Sequence, residues 1–107
     1  MLRTLDEFYK VQQMCQNRLP PLTALYMATR GNAEAMGLAG EIGSVAPGHY
    51  ADLIVLNASA TPAMRVKMER ISSLAEEVFL LQTLGDDRAI AETYVAGRRA
   101  KSILAAD

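Results

Sequence analysis

Residues 29–56 read TRGNAEAMGLAGEIGSVAPGHYADLIVL, and this stretch decides the fold because the apolar period changes within it. Upstream, Leu22, Leu25, Tyr26 and Thr29 recur at helical spacing and form a short face. Gly31 is expected to end that helix as a C′ residue, Asn32 to cap a further turn over Ala33–Met36, and Gly37 to stop it. The pattern then turns extended. Ile42-Gly43-Ser44-Val45 and Asp52-Leu53-Ile54-Val55-Leu56 read as strands. Ala46-Pro47-Gly48-His49 between them has proline and glycine where a type II turn wants them, so a β-hairpin is expected.

Toward the amino terminus, Pro20-Pro21 breaks the chain, and Pro21 suits the first turn of the following helix. Met1 to Arg18 reads as an amphipathic helix with Met1, Leu5, Phe8, Val11 and Cys15 on one face. It opens without an N-cap residue, so the pattern is expected to begin upstream of Met1.

Toward the carboxyl terminus, Asn57 to Pro62 reads as a loop and Met64 to Glu69 as an extended or frayed stretch. Ser73-Leu74-Ala75-Glu76 is a capping box opening a helix that runs to about Leu84, with Gly85 as its stop. Leu74, Val78 and Leu81 share one face of it, but Phe79 and Leu80 lie off that face. A helix apolar on more than one side expects to be sandwiched, and the faces of Leu2–Tyr9 and Phe79–Leu80 are expected to be left exposed in this chain alone. Asp86-Asp87-Arg88 reads as a polar turn, Thr93–Ala96 as a strand, Gly97 as a turn, and Lys101–Leu104 as a segment pairing back. The whole is α+β: helices first, then a small sheet of about four strands with one helix inserted.

Composition bounds the chemistry. A chain of 107 residues with net charge −1 is one domain at most and has no electrostatic case for nucleic acid or an anionic membrane. Its apolar runs, such as 53–56 and 78–81, are far too short to span a bilayer, and the charged start is no signal peptide, so a cytoplasmic setting is expected. One histidine and one cysteine exclude a closed structural zinc site within the chain and any internal disulfide. A hydrolase triad would need His49 as its base, and no acidic or nucleophilic partner stands near it in sequence. His49 is therefore expected to be a solvent-exposed turn residue. Cys15 is expected to be a buried small hydrophobe, and Met14, Met27, Met36, Met64 and Met68 to be packing or edge residues. Arg98-Arg99 with Lys101 reads as a solvated hairpin end, and Asp86-Asp87 as turn or helix-terminal residues rather than a catalytic pair. Gly43 and Gly48 form no phosphate loop.

The string Thr29–Ala33, Met36-Gly37-Leu38, Ile42–Val45 and Pro47–Leu56 resembles the carboxyl-terminal end of the metal-dependent amidohydrolase superfamily. The flanks, Tyr9–Gln13, Ala60-Thr61-Pro62, Leu84–Arg88 and Thr93–Arg98, are similar to the guanine deaminases within it. The resemblance implies the terminal helices of a TIM-like barrel at 1–39, and part of a small β-sandwich at 40–107 with an inserted helix at about 73–84. It implies a zinc enzyme that hydrolyses guanine to xanthine and ammonia, of which this chain is a scaffolding carboxyl-terminal fragment, itself inactive. The metal of that superfamily is held by a His-x-His pair, further histidines and an aspartate in a Gly-Thr-Asp type motif. None of these motifs occurs here, so no catalytic, cofactor-binding or metal-binding residue is carried over. Asp52, in Ala51-Asp52-Leu53, belongs to the hairpin pattern and not to the metal. The implied partners are the remainder of the barrel, guanine as substrate of the full enzyme, and a second copy, by homodimerisation or self-association. Two alternatives stay open: an aminohydrolase of the chlorohydrolase or adenosine-analogue deaminase type, and a free-standing interaction module.

Overall fold

A computed structural model describes residues 1–100 of the chain. Its elements are α1 (Leu2–Met14), α2 (Pro21–Tyr26), a π-helical turn (Met27–Gly31), α3 (Asn32–Ala35), β1 (Leu53–Leu56), α4 (Pro62–Met68), α5 (Leu74–Leu84), a 3₁₀ turn (Asp87–Ala89), β2 (Ile90–Val95) and β3 (Arg98–Arg99). The architecture is α+β, with a three-stranded antiparallel sheet ordered β1-β2-β3. The expected pairing of Lys101–Leu104 lies outside the described residues.

The core is helix against helix. Met64, Leu80, Leu81, Ala58 and Ala89 form one buried cluster, with Leu2, Leu56, Met68 and Ile71 packed against it. Met64 is 1% exposed, and burying a side chain of that size stabilises by about 2 kcal/mol. α5 is packed by elements of this same chain, α1, α2 and α4, although Leu74 at its start and Leu84 at its end stay exposed. The Phe79 ring meets Tyr9 edge-on, centroids 5.1 Å apart at 75°, a geometry that adds about 1 kcal/mol to the area buried. Leu80 lies in the core. The expected exposure is thus corrected for Leu5 and Leu80, which are buried, while Leu2, Phe8, Tyr9 and Phe79 are half-buried. Gln82, 1% exposed, sends its Nε2 to the Leu5 carbonyl at 3.1 Å and ties α5 to α1.

Helix ends follow local chemistry. Ser73 Oγ accepts from the Glu76 N–H at 3.2 Å, while the Glu76 carboxylate accepts from the Ser72 N–H at 3.1 Å, a capping box displaced by one residue. α1 stops at Met14, short of the expected Arg18. Gln16 takes the left-handed conformation (φ 63°), and the N–H groups of Gln16 and Asn17 close on Gln13 and Gln12 as a Schellman motif. The stretch expected to be frayed is α4. Thr61 caps it, accepting from the Met64 N–H at 3.3 Å, and Pro62 fills its first turn.

The expected hairpin does not form. Ile42–Val45 makes no strand, and β1 pairs instead with β2, Leu53 opposite Tyr94 and Ile54 opposite Thr93. The reason lies at Gly43, whose φ of +91° interrupts an extended run and turns the segment onto the helices. The turn inside the expected hairpin is real. His49 N–H reaches the Ala46 carbonyl at 3.2 Å, with Gly48 at φ +87°. β2 and β3 are joined by a tight turn through Ala96 (φ 51°) and Gly97 (φ 82°), the positive pair that a type I′ hairpin requires.

Candidate functional site

A polar constellation lies where the helical half meets the 38–50 segment. It begins with an irregularity in the helix. Gly31 was expected to end α2, yet its backbone stays helical (φ −62°, ψ −41°) and the chain widens into a π turn that runs directly into α3. Thr29 Oγ donates back to the Leu25 carbonyl at 2.8 Å, a contact that loosens the regular ladder. A Cβ on Gly31 would stand 3.3 Å from the Tyr26 ring, so glycine here makes room for tyrosine rather than for a helix stop. Asn32 likewise does not cap. It sits inside the turn, its side-chain amide donating to the Ala28 carbonyl at 3.3 Å. The true stop is Gly37 (φ +74°), with Leu38 N–H on the Ala33 carbonyl and Gly37 N–H on that of Glu34.

The π turn aims Arg30 at the segment that follows. Its Nη1 donates to the Ala39 carbonyl at 2.6 Å and to Ser44 Oγ at 3.2 Å, and its Nε pairs with Glu34 at 3.2 Å. The other Glu34 oxygen accepts from the Tyr26 hydroxyl at 2.9 Å, which raises the Tyr26 phenol above its ordinary pKa. Gly43 completes the contact. A Cβ there would come within 2.7 Å of Ala33 Cβ and 3.2 Å of Arg30 Cα.

His49 is not the solvent-exposed turn residue the sequence suggested. It is half-buried, its Nε2 lies 3.0 Å from the same Ala39 carbonyl that Arg30 holds, and its Nδ1 is buried without a partner. The Ala39 oxygen thus gathers two side chains from opposite ends of the segment. With Nε2 donating, His49 acts as a clasp that ties the 46–49 turn to Ala39.

The other sequence candidates scatter. Cys15 is exposed, not buried, because α1 ends at Met14 (84% exposed) and nothing among the described residues covers that end. The buried stripe of α1 runs through Leu2 and Leu5 toward Tyr9, one position off the expected stripe, and Val11 is exposed. Asp86 caps the 3₁₀ turn through the Arg88 N–H at 2.9 Å. The Arg88 guanidinium holds its carboxyl down to about 2, while Asp87 is exposed in the turn. Arg98 and Arg99 are exposed at the hairpin end, with Arg99 on Glu92 at 2.6 Å. Asp52 accepts from the Ala96 N–H at 2.8 Å and braces the β2–β3 turn against β1. Among the described residues no group of three or more His, Cys, Asp or Glu is placed to hold a metal ion, so these residues do not fit the zinc that the resemblance implies. No described helix is long and apolar enough to cross a membrane.

Sequence reasoning passed over Arg30. Its signal was present: Glu34 stands four residues on, the spacing at which a helix pairs opposite charges.

The sequence model of the amidohydrolase family matches residues 1–100. The chain is 45% identical over 98 residues to the guanine deaminase of Escherichia coli (strain K12), covering 92% of this chain and 22% of that protein. The solved structure of E. coli guanine deaminase superposes with a TM-score of 0.90 at 43% identity, over 92% of this chain and 23% of that one. The guanine deaminase of Bradyrhizobium japonicum superposes with a TM-score of 0.76 at 26% identity, over 92% of this chain and 27% of its own. The chain therefore spans about a quarter of the length of the relatives it matches. With the family model matching residues 1–100, this chain belongs to the amidohydrolase family.

Proposed function

We propose that this chain is the carboxyl-terminal scaffolding part of a guanine deaminase, an enzyme that hydrolyses guanine to xanthine and ammonia. The observation that supports it is the 45% identity to the E. coli guanine deaminase over 92% of the chain. On this reading residues 1–39 are terminal helices of a TIM-like barrel, and 40–107 contribute part of a small β-sandwich with α5 inserted. The work of these residues is mechanical. α1 and α2 carry the helical layer, and the Arg30–His49 clasp fixes the passage from helix to sheet. Zinc belongs to the remainder of the enzyme, where it would activate water for attack on the amino-bearing ring carbon. This chain alone is inactive. Its partners are that remainder and, in a homodimer, a second copy, and the setting is cytoplasmic.

The test is a deamination assay on the full-length product that carries this sequence, offered guanine, adenine and an aminotriazine. Guanine is expected to yield xanthine and ammonia at a rate well above the other two. Turnover of adenine or the triazine in preference to guanine would place the protein elsewhere among the aminohydrolases.

A further inference from the structure

A cleft of about 610 Å³ opens between α2, α4 and α5, and none of its lining residues belongs to the Arg30 clasp. Its floor is apolar, built by Ile71, Phe79 and Leu80. Two cations stand on its rim, Lys67 at the end of α4 and Arg70 just beyond it. Both are exposed, and neither meets a carboxylate at ion-pair distance among the described residues. The one carboxylate that lines the cleft, Glu76, has an oxygen committed to the Ser72 N–H at the start of α5. An apolar pocket of several hundred Å³ edged by a few charged groups is the form that small-molecule sites take.

We propose that this cleft binds a small free amphiphile with one anionic head and an apolar tail, of the fatty-carboxylate kind. The tail lies over Ile71, Phe79 and Leu80, and the head sits between the Lys67 ammonium and the Arg70 guanidinium. The charge arrangement selects the sign of the head. An apolar tail alone would be taken as readily in neutral form, whereas two cations on one rim, neither paired with a carboxylate among the described residues, reward an anion. The site goes beyond the deaminase reading, which assigns no ligand to these residues.

The experiment titrates the full-length product with octanoate and with its neutral analogue octanamide, followed by the Ile71 methyl resonance and by calorimetry. Octanoate is expected to bind saturably and shift the Ile71 methyl. Octanamide is expected to bind at least about tenfold more weakly, as is octanoate to the Lys67→Glu/Arg70→Glu double variant, and octanoate affinity is expected to fall with added salt. Equal affinity for octanoate and octanamide would overturn the proposal. So would an Ile71 methyl that does not respond to octanoate, the result expected if another part of the protein covers the cleft. The comparison of the two probes on the unsubstituted protein decides the matter even if the double variant fails to fold.

Discussion

The helical core and the 38–50 segment are held by opposite means. Around Met64, Leu80 and Leu81 the structure rests on apolar burial, shared among α1, α4 and α5 and the loops beside them. The 38–50 segment has few such contacts. Val45 is 88% exposed, and within the segment the backbone closes only short turns and one bond from Tyr50 to Glu41. What fixes it are Arg30, His49 and the missing side chain of Gly43. Burial spreads its cost over many residues and tolerates change by degrees. A clasp concentrates it on a few atoms and fails locally.

That contrast can be broken at its strongest point first. Met64→Ala is expected to lower unfolding free energy by about 2–5 kcal/mol, read as a drop in the denaturant midpoint that includes every element. Gly43→Ala combines a positive φ with a contact on Ala33 Cβ that has to shift. A loss of about 1–3 kcal/mol is expected, and a neutral result would show that the segment repacks freely. Arg30→Ala is expected to cost about 1–2 kcal/mol, with amide exchange rising in residues 38–50 while α5 stays protected. Exchange rising equally in α5 would erase the distinction between the two regions.

The smallest effect concerns pH. Asp86 has its carboxyl lowered to about 2 by Arg88, against an ordinary value of about 3.9 in the unfolded chain. A depressed carboxylate contributes stability above the unfolded value and loses it as pH falls through the folded one. Asp86→Asn is therefore expected to flatten the acid limb of the stability curve between about pH 4 and pH 2, with the neutral-pH midpoint changed only by the lost cap. An acid limb of unchanged slope would show that Asp86 does not contribute there.

Much of this was legible in residue order. Ser73 and Glu76 announced α5, and the surplus of apolar residues on it announced a sandwich, although the partners turned out to lie within the chain. Pro47-Gly48 announced a turn that is present. What sequence did not show were choices made by tertiary contact. Ile42–Val45 has strand composition, but its pairing was forfeited once Gly43 turned it against Ala33, and β1 found β2 far along the chain. Gly31 looked like a helix stop because its other use, room for the Tyr26 ring, is visible only in three dimensions. Thr61-Pro62 was a readable cap taken for loop, while the left-handed Gln16 that ends α1 carries no local signal. For the site, residue types alone gave His49 no partner. Its tie to Ala39 depends on a carbonyl ten residues away, and carbonyls have no signature in sequence.

On the proposed reading these residues would scaffold an active site whose catalytic groups come from the rest of the enzyme. The direct measurement is guanine hydrolysis by the purified 107-residue chain, incubated with zinc and monitored as xanthine and ammonia. A rate no higher than that of zinc in buffer is expected. Sustained xanthine formation that follows the chain through successive purification steps would contradict it and place catalytic groups among the residues described above.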